Sequence, residues 1–146
     1  INPIKNEFDF IFVDCPPSLG VLTTNALISA QTVIVPVQTE FLALRGLKQL
    51  GDIITKVRKK GNPSLKKRIL RTMHDVRTLH SKEVVEELER IFPDEIFNTI
   101  IKRTVKFADA SLAGVPILLY AKSSEAAEAY RQLAEEVIED AKKTIS

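Results

Sequence analysis

The chain has 146 residues, with 21 Lys and Arg against 19 Asp and Glu, a formal net charge of +2. At 45% hydrophobic and 27% charged residues it is not a disordered chain, and no run approaches the ~20 apolar residues of a membrane-spanning helix. A single cysteine, Cys15, excludes an intramolecular disulfide and any Cys-rich zinc module, and it suits a reducing compartment.

Phe8 to Asp14 is a short, nearly continuous apolar run rich in aromatic and β-branched residues, and it predicts a buried strand of a parallel sheet. Pro16-Pro17 stops it. Residues 19–30 predict a helix with Leu22, Ala26 and Ile28-Ser29 towards its buried side. Val33-Ile34-Val35-Pro36-Val37 predicts a second buried strand, ended by its proline. Over 40–60 a long helix is expected, since Phe41, Leu44, Leu47, Leu50, Ile54 and Val57 recur at spacings of three and four. Lys59, Lys60 and Gly61 suit its C-terminus.

Residues 53–74 carry 8 basic and no acidic side chains: Lys56, Arg58, Lys59, Lys60, Lys66, Lys67, Arg68 and Arg71. The block reads either as a solvated helix end or as an anion-facing patch. A third strand is expected at 68–73. Ser81 can cap a helix to about Phe92, with Val84, Leu88 and Ile91 inward. A fourth strand follows at Ile96–Ile101. A short helix near 105–112 is broken by Gly114-Val115-Pro116. The last helix spans 124–144, with Tyr130, Leu133, Val137, Ile138 and Ala141 on its buried face. Strands alternating with helices predict an α/β architecture with a parallel sheet.

The chemistry is concentrated in the apolar run that ends Asp14-Cys15-Pro16-Pro17-Ser18. A buried parallel strand delivers its last residue to the sheet edge where ligands of open α/β sheets bind. An acidic residue there can hold Mg²⁺, directly or through water, beside a nucleotide phosphate, and the two prolines stiffen the following loop. This is a Walker B arrangement. His74, Asp75 and His80 fit no standard zinc spacing. Cys15 has no nearby His in sequence to activate it and reads as a packed thiol.

These residues, with Leu19-Gly20 and Thr24-Asn25-Ala26-Leu27, resemble the ParA/Soj family of deviant Walker-type partition ATPases. The resemblance continues through Val35-Pro36-Val37-Gln38-Thr39-Glu40, Ala43-Leu44-Arg45-Gly46-Leu47, Thr72-Met73-His74-Asp75-Val76-Arg77-Thr78 and Gly114-Val115-Pro116-Ile117-Leu118-Leu119-Tyr120. It spans roughly residues 8–140. It implies a parallel-sheet, three-layer P-loop NTPase-like fold that uses ATP/ADP with Mg²⁺ and forms a homodimer in the ATP state. It also implies nonspecific DNA binding, a ParB-like centromere-binding partner, and a cytoplasmic, nucleoid-associated location without a membrane.

Carried onto this sequence, the resemblance makes Asp14 the catalytic and Mg²⁺-associated acid. Asp14, Pro16, Pro17, Thr72, Met73, Lys102 and Arg103 become nucleotide-binding candidates, and Arg77, Arg103 and Lys106 become DNA-binding candidates. Lys102-Arg103-Thr104 stands where the family usually has Pro-Arg-Asn, Lys106 where it often has arginine, and Ala108-Asp109-Ala110 where Ser-Glu-Ala is usual. No G-x-x-x-x-G-K-[ST] stretch occurs in these 146 residues, and in the family that phosphate loop lies upstream of the Walker B strand. With Ile1 rather than Met at the start, residues 1–146 are expected to be the C-terminal half of the ATPase domain, without the N-terminal strands and inactive alone. Two other classes compete: a MinD-like membrane-cycling ATPase, disfavoured by the acidic stretch Glu135–Asp140, and a non-enzymatic interaction module.

Overall fold

Strands and helices alternate along the chain as the hydrophobic patterning predicts. The computed structural model describes residues 4–18, 20–39 and 43–145, with the side chains of 43–45, 144 and 145 set aside. The order is α1 (Val21–Ser29), β1 (Thr32–Gln38), α2 (Ala43–Lys60), β2 (Lys66–His74), α3 (Leu79–Ile91), β3 (Ile96–Lys102), α4 (Lys106–Leu112), α5 (Ile117–Tyr120) and α6 (Glu125–Ile145). The strands form one sheet in the order β1-β2-β3. β2 and β3 are parallel, with Ile69 opposite Ile96 and His74 opposite Lys102. β1 runs the same way. Lys66 N–H donates to Gln31 O (2.9 Å) and Thr39 N–H to Thr72 O (3.2 Å), so the two strands advance together.

Two strand expectations are corrected. Residues 8–14 have no regular structure; Phe8, Phe10, Ile11, Phe12 and Val13 are exposed, Phe12 to 76%. A buried strand needs a hydrogen-bonding neighbour and cover on both faces, and among the described residues none pairs with this run. Asp14 is therefore an exposed residue of an irregular segment rather than a strand end, and Cys15 is exposed rather than packed. Pro36 lies inside β1 instead of ending it. Gln31 C=O and Thr39 N–H both point at β2, so the period of two places Pro36 on the opposite edge, where a missing N–H breaks no ladder bond.

Contacts divide the chain into two units, residues 1–33 with 44–67 and residues 34–43 with 68–146. In the first, Leu27, Ile54, Val57 and Leu65 form a core flanked by Ala30, Val33, Leu50 and Ile53. α1 buries Thr23 and Leu27, one residue along from the expected face; Leu22 and Ile28 are exposed. On α2, Leu47, Ile54 and Val57 are buried as expected, while Phe41 and the Leu44 side chain lie outside the described residues. Asn62 Nδ2 donates to Leu27 O (3.0 Å) and Ala30 O (2.6 Å), satisfying carbonyls at the end of α1. Gly61 closes α2 by close approach: a Cβ there would meet Ile28 Cγ1 at 3.3 Å.

In the second unit, Leu70, Phe97 and Ile101 form a core covered by Ile34, Phe107, Ala129, Leu133 and Val137. The α6 contribution is a stripe spaced by four, 129-133-137, which leaves Tyr130 and Ile138 exposed against expectation. Tyr130 instead meets the Phe107 ring edge-on, centroids 5.9 Å apart. Ser124 Oγ accepts from Ala127 N–H (3.2 Å) at the start of α6. Glu125 and Glu128 in its first turn and Lys142 and Lys143 in its last complement the helix dipole.

Thr78, not Ser81, caps α3, its hydroxyl accepting from Ser81 N–H (3.4 Å). Val84 and Leu88 are buried, but Ile91 at the end of α3 is exposed. α5, not foreseen, follows Gly114 at φ +65° and the Pro116 N-cap, a left-handed residue and a fixed φ that reset the chain direction.

The β2–β3 register slips twice. Arg71 faces Ile100 although Ile69 faces Ile96, and one further residue is taken up on β2 between Arg71 and His74. At the first slip side chains replace ladder bonds. Arg71 Nη2 donates to Phe97 O (2.7 Å) and Asn98 O (3.0 Å). The Glu136 carboxylate accepts from Asn98 N–H (2.7 Å) and Thr99 N–H (2.8 Å), tying α6 to β3.

Candidate functional site

The C-terminal ends of β2 and β3 carry a group of polar side chains in the second unit. At the second register slip Met73 takes φ +54°, a left-handed conformation that costs a non-glycine residue about 1 kcal/mol or more. It is half-exposed, so packing does not force it; the surplus residue of the bulge does. The next backbone groups are fixed from both sides: Arg103 N–H donates to His74 O (3.0 Å), and Thr39 N–H to Thr72 O (3.2 Å).

Beneath this edge lies a small polar network. Ser81 Oγ donates to Thr39 O (3.2 Å) and Thr39 Oγ1 donates to Ser81 Oγ (3.3 Å). With the Thr39 hydroxyl hydrogen so placed, Nδ1–H of His74 is the donor in the 3.4 Å contact to Thr39 Oγ1. Partial burial, followed by the positive charges of Arg71, Lys102 and Lys82, holds the imidazole pKa below its ordinary value; Asp75 opposes this.

Asp75 organises the loop into α3. Its Oδ1 accepts from Arg77 N–H (3.0 Å), closing an Asx turn, and from Arg77 Nε (2.9 Å), while Oδ2 accepts from Arg77 Nη2 (2.7 Å). Its carbonyl accepts from Thr78 Oγ1 (3.2 Å) and Thr78 N–H (3.2 Å). Hydrogen bonds from the Arg77 side chain and backbone, helped by the charges of Arg77 and Arg103, hold the Asp75 carboxyl well below the usual carboxylate range. The same pair raises Arg77.

Thr72, Met73, Arg77, Lys102 and Arg103 thus share one edge. Lys102 Nζ pairs with Glu125 (3.2 Å), Arg103 is exposed, and exposed Lys106 opens α4 with its N–H on Thr104 Oγ1 (3.4 Å). From sequence Asp75 is weighed only as a metal ligand, with His74 and His80, and Thr39 and Ser81 are not singled out as parts of a site. The signal for Asp75 is Asp75-x-Arg77-Thr78 immediately before a helix, an Asx turn running into an N-cap.

The basic block resolves unevenly. Arg58 Nε donates to Leu65 O (2.8 Å). Arg68 pairs with Asp140 (2.8 Å), donates to Asp94 O (3.1 Å) and lies 4.5 Å over the Phe97 ring. Arg71 is buried and pairs with Glu89. These three arginines are structural, so of the two readings of the block the anion-facing patch cannot include all eight cations.

Asp14, Pro16 and Pro17 belong to the first unit. Ser18 N–H donates to Pro16 O (2.7 Å), and Thr23 Oγ1 to Ser18 O (2.6 Å), fixing the turn after the prolines. Asp14 is an exposed carboxylate on an irregular segment, and among the described residues no three His, Cys, Asp or Glu side chains group around a metal position. No helix among them is long and apolar enough to cross a membrane.

A family profile described as an AAA domain matches residues 1–67. The chain is 43% identical over 138 residues to the sporulation initiation inhibitor protein Soj of Bacillus subtilis, covering 94% of this chain and 54% of that protein. It is 42% identical over 139 residues to the chromosome partitioning protein ParA of Myxococcus xanthus, covering 94% and 49%. Among solved structures, cobyrinic acid a,c-diamide synthase from Mycobacterium smegmatis with bound ATP analog and magnesium superposes with a TM-score of 0.77 at 36% identity, covering 94% of this chain and 50% of that one. The chain spans about half the length of the curated relatives it matches.

Proposed function

The chain belongs to the ParA/Soj family, and from that premise we propose that residues 1–146 are the C-terminal half of a partition ATPase domain that contributes a DNA-facing edge. One observation carries this reading: Arg77, Arg103 and Lys106 are exposed cations, and Arg77 and Arg103 both act on the Asp75 carboxylate at the C-terminal edge of the sheet. Phosphate contacts need cations but no base-reading geometry, which suits DNA binding without sequence preference.

In this reading the intact protein binds ATP and Mg²⁺ and dimerises in the ATP state, so that each basic edge is present twice. The phosphate loop comes from chain outside these 146 residues, and Asp14 with Pro16 and Pro17 contributes the Walker B side. Thr72, Met73, Lys102 and Arg103 flank the base. A ParB-like centromere-binding protein is the partner, and the setting is the nucleoid in the cytoplasm.

The test is affinity for unrelated duplexes at several salt concentrations, using the intact protein with ATP and Mg²⁺. Charge reversal at Arg77, Arg103 and Lys106 is expected to weaken binding on every sequence alike. Each cation that no longer neutralises a phosphate should reduce the salt slope by about one unit. Unchanged affinity and slope in the triple variant would refute this DNA-facing edge.

A further inference from the structure

We propose that Asp75 is a positioning residue for DNA binding: it holds the Arg77 guanidinium with its outer N–H edge turned to the phosphate, so removing the Asp75 charge weakens binding to a polyanion. The inference rests on the reading above that Arg77 touches DNA. Arg77 sits on a loop with its side chain 83% exposed, whereas that of Asp75 is 20% exposed. The carboxylate thus lies below and the guanidinium above it.

The geometry leaves the working edge open. A guanidinium has five N–H donors in a planar fork. Asp75 takes Nε–H and one Nη2–H, and its Oδ1 also holds the Arg77 backbone N–H. Three donors remain, on the side facing away from Asp75, and a phosphate can accept two of them together. Asp75 is itself anchored, because its carbonyl accepts both from the Thr78 hydroxyl and from the Thr78 backbone, and Thr78 caps α3. The chain of support runs from helix cap to carboxylate to guanidinium.

Two effects oppose each other. The Asp75 charge repels a phosphate, but it does so across the guanidinium and through solvent, where salt screens it within a Debye length of about 8 Å at 0.15 M. Against this, an unsupported arginine loses much rotamer freedom on binding, and a fork already fixed loses less. At physiological salt the second effect prevails.

The experiment measures duplex affinity of the intact protein with ATP and Mg²⁺ at 0.15 M salt in a double-mutant cycle. Asp75→Asn keeps an oxygen for the Asx turn and removes the charge. It is expected to lower affinity roughly three- to tenfold while Arg77 is present, and not to lower it in an Arg77→Ala background. Arg77→Lys keeps the charge but loses the fork. It is expected to match Asp75→Asn alone, and it supplies the same test if Asp75→Asn does not fold. Higher or unchanged affinity for Asp75→Asn with Arg77 present, or an equal loss in both backgrounds, overturns the positioning role. If Arg77→Ala weakens binding and Asp75→Asn does not, only this inference falls. If Arg77→Ala changes neither affinity nor salt slope, the assignment of DNA contact to Arg77 falls with it.

Discussion

Replacing Arg71 by methionine removes the guanidinium from the slipped segment of β3 while keeping an apolar stem in its place. Two hydrogen bonds from a charged donor to Phe97 O and Asn98 O disappear, each worth about 1.5–3 kcal/mol. The partner Glu89 is 54% exposed, so its share of the ion pair is at most ~1 kcal/mol. Arg71 Nε is buried without a hydrogen-bond partner, a native cost of ~1–3 kcal/mol that the variant relieves. The balance predicts a loss of about 2–4 kcal/mol. With a urea dependence of roughly 1–3 kcal/mol/M, the unfolding midpoint should fall on the order of 1–2 M. Urea titration of the intact protein measures it, and amide exchange at Asn98 and Thr99 localises the change. Glu89→Gln is the control, expected to cost less than ~1 kcal/mol. A loss below ~1 kcal/mol for Arg71→Met, or an equal loss for Glu89→Gln, would show that the carbonyl bonds do not hold this segment.

Met73→Gly should leave stability unchanged or raise it by up to ~1 kcal/mol, because glycine takes φ +54° without strain; a loss above ~1 kcal/mol in the same titration would mean the side chain packs in the intact protein. Partial burial and the neighbouring cations Arg71, Lys102 and Lys82 hold the His74 pKa below the ordinary 6.5. The unfolded chain therefore binds a proton that the folded one resists, and stability should fall as pH drops below about 6.5. His74→Gln should flatten that slope in urea midpoints measured between pH 7.5 and 5.5, and an unaltered slope would dismiss the histidine as its source.

Elements whose signal is local were legible from sequence. β3, α3 and α6 follow from short β-branched runs, a polar cap and four-residue spacing; the bounds of β3 and α6 differ from expectation by one residue, and the cap of α3 by three. Three misses share one cause, the need for partners far along the chain. Phe8–Asp14 has every local mark of a strand, but a ladder requires a neighbour that no local pattern supplies. Arg71 reads as one more cation in a basic run, and its acceptors lie 26 and 27 residues away on β3. The left-handed Met73 arises from a register mismatch between two strands, which neither strand reveals alone. Within the candidate site, Arg77, Arg103 and Lys106 are named by the family resemblance and not by any local pattern of the sequence. Asp75 is weighed in the sequence only against zinc spacing, and its bonds to Arg77 emerge with the loop conformation.

The grip of Glu136 on β3 also bears on how the molecule behaves in a crowded solution. β3 is the last strand of the described sheet, and terminal strands present free amide groups on which a stranger's strand can template. At the register slip, Asn98 N–H and Thr99 N–H are already taken by a carboxylate anchored on α6. A foreign backbone would have to displace a charged acceptor to pair there. One glutamate thus raises the cost of foreign pairing at this point of β3, irrespective of any ligand.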